Sequence, residues 1–346
     1  MAGDLHAHAA TESTPEGLSL GELAQNATAR GLDYLLVADP NEFTALTDPA
    51  FGNGGLTWLI GYQKIAQGGS LILGGGGLSF TDYGESPKDL IRIAQGVRNG
   101  NGIVSVGRPE VSRWSVQFVK SLEPEAIEVW RGGPFSYRTP GLHKNPAGAL
   151  YLYDRLLDHG VRAAVAGGSD TSSRALSDLA GVGQPTTWVC AETANPAGVV
   201  RGIDFGRTTI SHESPALKGP LLFLESDEDG DGKFEARLGD EVAAGSQLRI
   251  RVKDAPAAKV RLITDGSKLL QEFIVDSFDY SMVIEVPNSA TWVRAELYLD
   301  EQLAPSKKNA CIVRDEVGSR VDYCNGALPM LALSSPIYIA SDKATP

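Results

Sequence analysis

The residues with the most chemistry per position stand at the head of the chain. Gly3-Asp4-Leu5-His6-Ala7-His8 is an Asp-x-His-x-His run in a protein that holds only 5 histidines. Side chains two apart along a strand point to one side, so this spacing predicts Asp4, His6 and His8 on a single face. Two neutral imidazoles beside a carboxylate are the beginning of a site for zinc, manganese or iron, the carboxylate completing or orienting the shell. The same letters also describe two surface histidines near a frayed terminus, and a bare His-x-His does not choose between the two.

Such a run needs strands and helices that carry it to a shared edge. Ser19-Leu20-Gly21-Glu22 opens a helix, with Ser19 as N-cap and Glu22 three residues on, a capping box. Leu20, Leu23, Ala24 and Ala27 recur at helical spacing, and Gly31 ends the pattern. The apolar run 33–39 reads as a buried parallel strand. Strand, helix and strand make a βα unit whose polar strand ends gather at the C-terminal edge of the sheet. Further helical patterns cover 56–66, 87–98 and 147–159, and strand-like runs cover 70–73, 103–106, 126–130, 162–166 and 186–190. Periodicity alone therefore gives an α/β chain up to about Arg207.

The opening Gly3–His8, followed by the stretch Gly31-Leu32-Asp33-Tyr34-Leu35-Leu36-Val37-Ala38-Asp39-Pro40-Asn41-Glu42-Phe43, resembles the PHP (polymerase and histidinol phosphatase) family of metallohydrolases, closest to its CehA/McbA-type branch. The likeness continues at 102–110, 126–130, 166–172, 183–188 and 205–208, roughly the first two thirds of the chain. It implies a distorted TIM-like (β/α)7 barrel over residues 1–214. It also implies a metal on His6, His8 and Asp170. The departures are specific. Ala38-Asp39-Pro40 stands where the family carries Thr-Asp-His, and Arg108-Pro109 where it carries His-Pro. Ser169-Asp170-Thr171-Ser172 stands for Ser-Asp-x-His, and Gly74-Gly75-Gly76-Gly77 lies where a bridging glutamate is expected. By the likeness these losses fall on a second and third metal, which leaves a reduced, mononuclear site.

Other polar residues fall near the presumed mouth. Arg108 presents a permanent cation with a planar fork, suited to a phosphate, sulfate or carboxylate, or to a plain salt bridge with Glu110 or Glu128. Asp39 ends a buried strand at the place of the family aspartate, where it would orient a histidine. Asn41, Glu42, Trp130 and Arg131 are expected at the same edge, with Trp130 and Tyr137 forming an apolar wall or simply packing the loop. His143, in the long segment between Gly132 and Ala147, is read as a replacement ligand or general acid, against the plainer reading of a surface histidine. His159 and His212 are read as structural.

At 346 residues the chain exceeds the usual size of one core, and two domains are expected. Gly and Pro thicken at 215–220, and beyond them strand-like runs separated by turns read as a small all-β sandwich over 215–346. The net charge of −12 argues against a nucleic-acid partner or an anionic membrane surface. No apolar run approaches a membrane span. The chain passes from Met1-Ala2 straight into the first strand, which fits a cytosolic protein or one whose leader was removed. Cys190 reads as a buried small hydrophobe. Cys311 and Cys324 are close enough to close a short disulfide loop, which is preferred to two separate thiols and would make the protein exported or periplasmic. Asp227, Asp229 and Asp231 with Gly232 match the first half of a calcium loop, but position twelve is Leu238 and the flanks read as strands. A solvated turn is the preferred reading, although Asp240 could complete a weak calcium site.

Two function classes follow. The first is a metal-dependent hydrolase of an ester, amide, carbamate or phosphoester, with Arg108 holding the anionic part of a small-molecule substrate. The second is a degenerate relative that binds a ligand or partner without catalysis. A metal-free site built on Glu128, Arg108 and His143 is a third arrangement.

Overall fold

The computed structural model describes residues 1–10, 17–43, 46, 48–78, 80–109, 114–132, 146–171, 181–299, 312–314, 320–322 and 330–340. Strand β1 (Ala2–Ala7) is buried along its whole length and leads through helix α1 (Leu20–Ala29) to β2 (Tyr34–Val37). The Ser19 hydroxyl accepts the Glu22 N–H, and the Glu22 carboxylate accepts the Ser19 N–H, so the predicted capping box starts α1. Then come β3 (Thr57–Ala66), β4 (Gly69–Gly75), α2 (Pro87–Asn99), β5 (Ile103–Gly107) and α3 (Val116–Leu122). They are followed by β6 (Ala126–Arg131), α4 (Pro146–Asp158), β7 (Ala164–Gly168), β8 (Thr186–Val189), α5 (Pro196–Asp204) and β9 (Thr208–Ser211).

The helix expected over 56–66 is instead the long strand β3. Trp58, Leu59, Tyr62 and Ala66 do fall at helical intervals, but the run is rich in aromatic and β-branched residues. Gly68, at φ 86°, then turns the chain tightly into β4. This changes the architecture. β3, β4 and β5 pair antiparallel, while β1–β2–β3 and β5–β6–β7 pair parallel. Among the described residues no helix separates β2, β3 and β4, so the expected alternation of a (β/α)7 barrel is broken there.

The sheet nevertheless curls until its ends meet. The Asp170 N–H donates to the His6 carbonyl at 2.7 Å and the His8 N–H to the Thr171 carbonyl at 3.2 Å, which brings the end of β7 beside the end of β1. The opposite end of β1 is taken by β8, at Ala2 and Gly3. One apolar cluster draws a residue from each of the seven strands: Leu5, Leu36, Leu59, Ile72, Ile103, Ala126 and Ala166. It is the interior of the curl. The outer face packs on α1 through Leu20 and Leu23, and on α2, α3 and α4 through Leu90, Ile93, Val119, Tyr153 and Leu156.

After a short 3-10 turn at Pro215–Leu217 the chain turns to strands throughout: β10 (Leu221–Asp227), β11 (Ala236–Arg237), β12 (Glu241–Ala243), β13 (Gln247–Lys253) and β14 (Ala258–Thr264). β15 (Lys268–Ile274), β16 (Asp279–Glu285), β17 (Trp292–Leu299), β18 (Ile312–Arg314), β19 (Arg320–Asp322), β20 (Met330–Ser334) and β21 (Ile337–Ala340) complete it. The antiparallel sheet β11-β10-β13-β16 covers strands β14, β17, β20 and β21, and Leu222, Leu248, Ile250, Val260, Leu262 and Leu297 fill the space between them. Strand β20 pairs with β17 on one side and with β9 on the other, so a single sheet runs from the curl into this sandwich.

Candidate metal centre

His6 and His8 reach the edge of the curl at the end of β1, with their rings edge to face at 4.8 Å. Asp170 meets them from the turn after β7. Its Oδ1 lies 3.1 Å from His8 Nε2 and 3.6 Å from His6 Nε2. One donor atom from each of His6, His8 and Asp170 falls within 4.8 Å of the others. Metal–ligand distances of about 2.0–2.2 Å in a tetrahedral shell place neighbouring donors about 3–3.5 Å apart, so these separations suit one ion.

The tautomers suit it as well. Nδ1 of His6 donates to Glu128 Oε1 at 2.5 Å, and since a carboxylate only accepts, the lone pair is left on Nε2. That Nε2 is buried and has no hydrogen-bond partner among the described residues. Glu128 is itself pinned, its Oε2 accepting the Arg108 N–H at 3.0 Å. Asp39 stands behind His8, 3.8 Å from Nδ1, and accepts the Ala9 N–H at 2.8 Å. Burial pulls the His8 pKa down, but its hydrogen bond to Asp170 and the nearby carboxylates of Asp170 and Asp39 outweigh that and push it up to about 9. Surroundings that favour a cation on the ring favour a cation beside it.

Asp4 behaves otherwise than the spacing predicts. The register of β1 against β2 shifts between Asp4 and Ala7, and Asp4 turns into the main chain. Its Oδ1 accepts the His6 and Ser169 N–H groups at 2.9 and 3.0 Å, and its Oδ2 accepts the Gly183 N–H at 2.8 Å. It fastens β1 to the turns that follow β7 and precede β8. Gly168 allows the close approach, because a Cβ there would sit 2.4 Å from the Cβ of His6.

Two guanidinium groups face the same carboxylate. Arg131 donates to Asp170 Oδ2 at 2.8 Å and Arg108 to Oδ1 at 3.3 Å. Arg108 thus pairs through its side chain with Asp170 and not with Glu128, while Glu110 lies outside the described residues. The Arg108 Nε is buried without a hydrogen-bond partner among the described residues. Arg108, Asp170 and Asn41 all follow strand ends with φ of 52°, 47° and 55°, a region non-glycine residues adopt at a cost of about 1 kcal/mol or more each.

The remaining expected residues are distributed unevenly. Asn41 is exposed and accepts the Ile65 N–H at 3.3 Å, capping β3. Glu42 is exposed. Trp130 does not form an apolar wall at the mouth: it is fully buried in the outer core among Val129, Tyr153 and Ile127. His143, Tyr137, Cys311 and Cys324 lie outside the described residues. His159 Nδ1 meets the Arg155 carbonyl four residues back, and His212 Nδ1 the Leu331 carbonyl on strand β20, both main-chain contacts. Cys190 is exposed, not buried, because β8 stops at Val189 and the Arg237 guanidinium approaches its sulfur at 3.6 Å.

Asp227, Asp229, Asp231 and Glu235 each offer an oxygen within 4.8 Å of the others, in the expected turn between strands β10 and β11. The two Asp227 oxygens already accept the Gly230 and Gly232 N–H groups, and Lys233 pairs with Asp231. Asp240 is engaged elsewhere, accepting the Arg237 N–H.

One residue near this site escapes the motif reading. Gln63 shows in the sequence only as one amide in the mostly apolar run of β3, beside Lys64. A polar residue in a buried strand was the available signal; Glu128, read as a partner of Arg108, stands behind His6 instead.

No family model matches the chain, and no curated protein matches it. Among solved structures it is similar to a two-domain protein containing a predicted PHP-like metal-dependent phosphoesterase from Bacteroides vulgatus. The two are 14% identical with a TM-score of 0.43, over 86% of this chain and 90% of that one.

Proposed function

We propose that the chain is a PHP-like metal-dependent hydrolase with a mononuclear site, its motifs nearest the CehA/McbA-type branch, acting on an ester, amide, carbamate or phosphoester that carries an anionic group. The observation that carries this reading is the buried Nε2 of His6, without a hydrogen-bond partner among the described residues, facing Asp170 Oδ1 beside His8 Nε2. A divalent ion held by His6, His8 and Asp170 would supply Lewis acidity and bring the pKa of water toward neutrality. The chain's own residues would do the rest. Glu128 keeps the proton on His6 Nδ1 and fixes the ring plane, and Asp39 sits behind His8. Arg108, one-third exposed and with an Nε that has no hydrogen-bond partner among the described residues, would hold an oxyanion at the mouth. Arg131, almost buried, would keep Asp170 turned toward the imidazoles.

A second reading is favoured by one contact. Arg108 already places a permanent positive charge 3.3 Å from the oxygen that His8 uses, so the guanidinium could stand in for an ion in a ligand-binding protein without catalysis. Elemental analysis of the full chain, purified with zinc and manganese supplied, separates the two. The hydrolase reading expects about one equivalent of metal, lost in the His6→Ala/His8→Ala variant. A protein that retains no metal overturns it and leaves the second reading.

A further inference from the structure

The interior of the curl holds polar side chains that the metal reading does not use. Gln63 is fully buried, and neither its Oε1 nor its Nε2 has a hydrogen-bond partner among the described residues. The hydroxyls of Ser70 and Ser105 are buried and likewise have no hydrogen-bond partner among the described residues. Native folds rarely leave such groups unsatisfied, and three on the inner face of neighbouring strands call for an explanation outside the packing.

All three face inward, toward the metal centre. Leu59 packs inside with Leu36 and Ile72, and Gln63 follows it by four residues on the same strand, hence on the same face. Gln63 pairs with Ile72, and Ile72 pairs with Ser105 across the next strand boundary, while Ser70 lies two residues before Ile72. Glycine at position 107 leaves room for Ser70, whose Oγ would lie 2.8 Å from a Cβ there. The wall is joined to the site at both ends. The Gln63 N–H donates to the carbonyl of Asp39, the residue behind His8, at 3.1 Å. Next to Gly107, the Arg108 N–H is bonded to Glu128, the residue behind His6.

We propose that Gln63, Ser70 and Ser105 form a neutral subsite that holds the hydroxyl-bearing part of the substrate. The proposal rests on the reading above that Arg108 holds the anionic part. An amide and two hydroxyls all donate and accept, which matches the mixed donor and acceptor character of neighbouring hydroxyl groups. With strands about 4.8 Å apart, Gln63 and Ser105 stand about 10 Å from one another, the span of a small polyol or a sugar. None of the three is charged, so selection works through hydrogen bonding: an analogue without hydroxyls leaves buried groups unpaired and is rejected.

The test is calorimetric titration of the full chain, supplied with zinc, with methyl phosphate and with glycerol 1-phosphate. Glycerol 1-phosphate is expected to bind the parent about tenfold more tightly or better. In the Gln63→Met/Ser105→Ala variant the two are expected to bind about equally, with methyl phosphate unchanged from the parent. Equal binding in the parent, or a preference that survives in the variant, overturns the subsite. If neither phosphate binds the parent, the anion reading fails, and the subsite is then decided by thermal unfolding without ligand. A Gln63→Met chain that melts about 2 °C or more higher has lost an amide with no partner in the fold, which supports the subsite. A fall of several degrees means the fold itself satisfies that amide, and overturns it.

Discussion

Glu128 and Asp39 stand behind the two imidazoles at different ranges, 2.5 and 3.8 Å. The shorter contact sets a tautomer. Replacing Glu128 by Gln gives His6 Nδ1 a partner that either donates or accepts, so the proton is no longer fixed there. We expect Glu128→Gln to lower metal affinity about 10- to 100-fold, measured by competition with a chelator, with the far-ultraviolet spectrum unchanged. His6, His8 and Asp170 were legible in the sequence because short motifs announce them. The left-handed backbone at Arg108 was not, since arginine does not signal that conformation. Asp4 was legible as a partner of the histidines, but its role was not: its carboxylate is taken up by three main-chain N–H groups, two of them distant in sequence.

Among the elements, α1 and α2 were fully legible. The capping box at Ser19 and the helical pattern over 87–98 are local signals, and local signals need no tertiary context. β3 was not, because its apolar residues satisfy the helical period as well as the strand period, and only its pairing with β2 and β4 decides. The β5–β6 pair carries its own pH dependence. Glu125, just before β6, accepts the Val104 N–H at 2.7 Å, and burial pushes its pKa from 4.5 up to about 7. The folded state therefore holds this proton more tightly than the unfolded chain. Its stabilising contribution is complete below pH 4.5 and is lost as pH rises through 7, about 3 kcal/mol in all. Glu125→Gln keeps the acceptor and removes the charge. Urea titrations should find the variant more stable than the parent at pH 8, with the difference closing as the pH falls to 4.5.

At the scale of the molecule, an ion network crosses from helix α4 to strand β17. Asp154 takes two bonds from Arg294, at 2.7 and 2.8 Å, and Arg294 also reaches Glu296 at 2.5 Å, all three residues being buried. Removing one member strands the others without solvent. Asp154→Ala should cost about 3–5 kcal/mol in urea unfolding, and Arg294→Met should cost less than Arg294→Ala, because its side chain refills the space. This network was invisible in the sequence, where Asp154 and Arg294 are 140 residues apart.

Strand β20, seated between β9 and β17, has a consequence for how such a protein is inherited. A gene cut after residue 214 would leave Thr209, Ile210 and Ser211 as a bare sheet edge, open to pairing with other chains. It would also take away the Ser335 hydroxyl that accepts the Val165 N–H at 2.9 Å. The curl is therefore not a portable module. In any lineage it must travel with its sandwich, or with another segment able to close that edge.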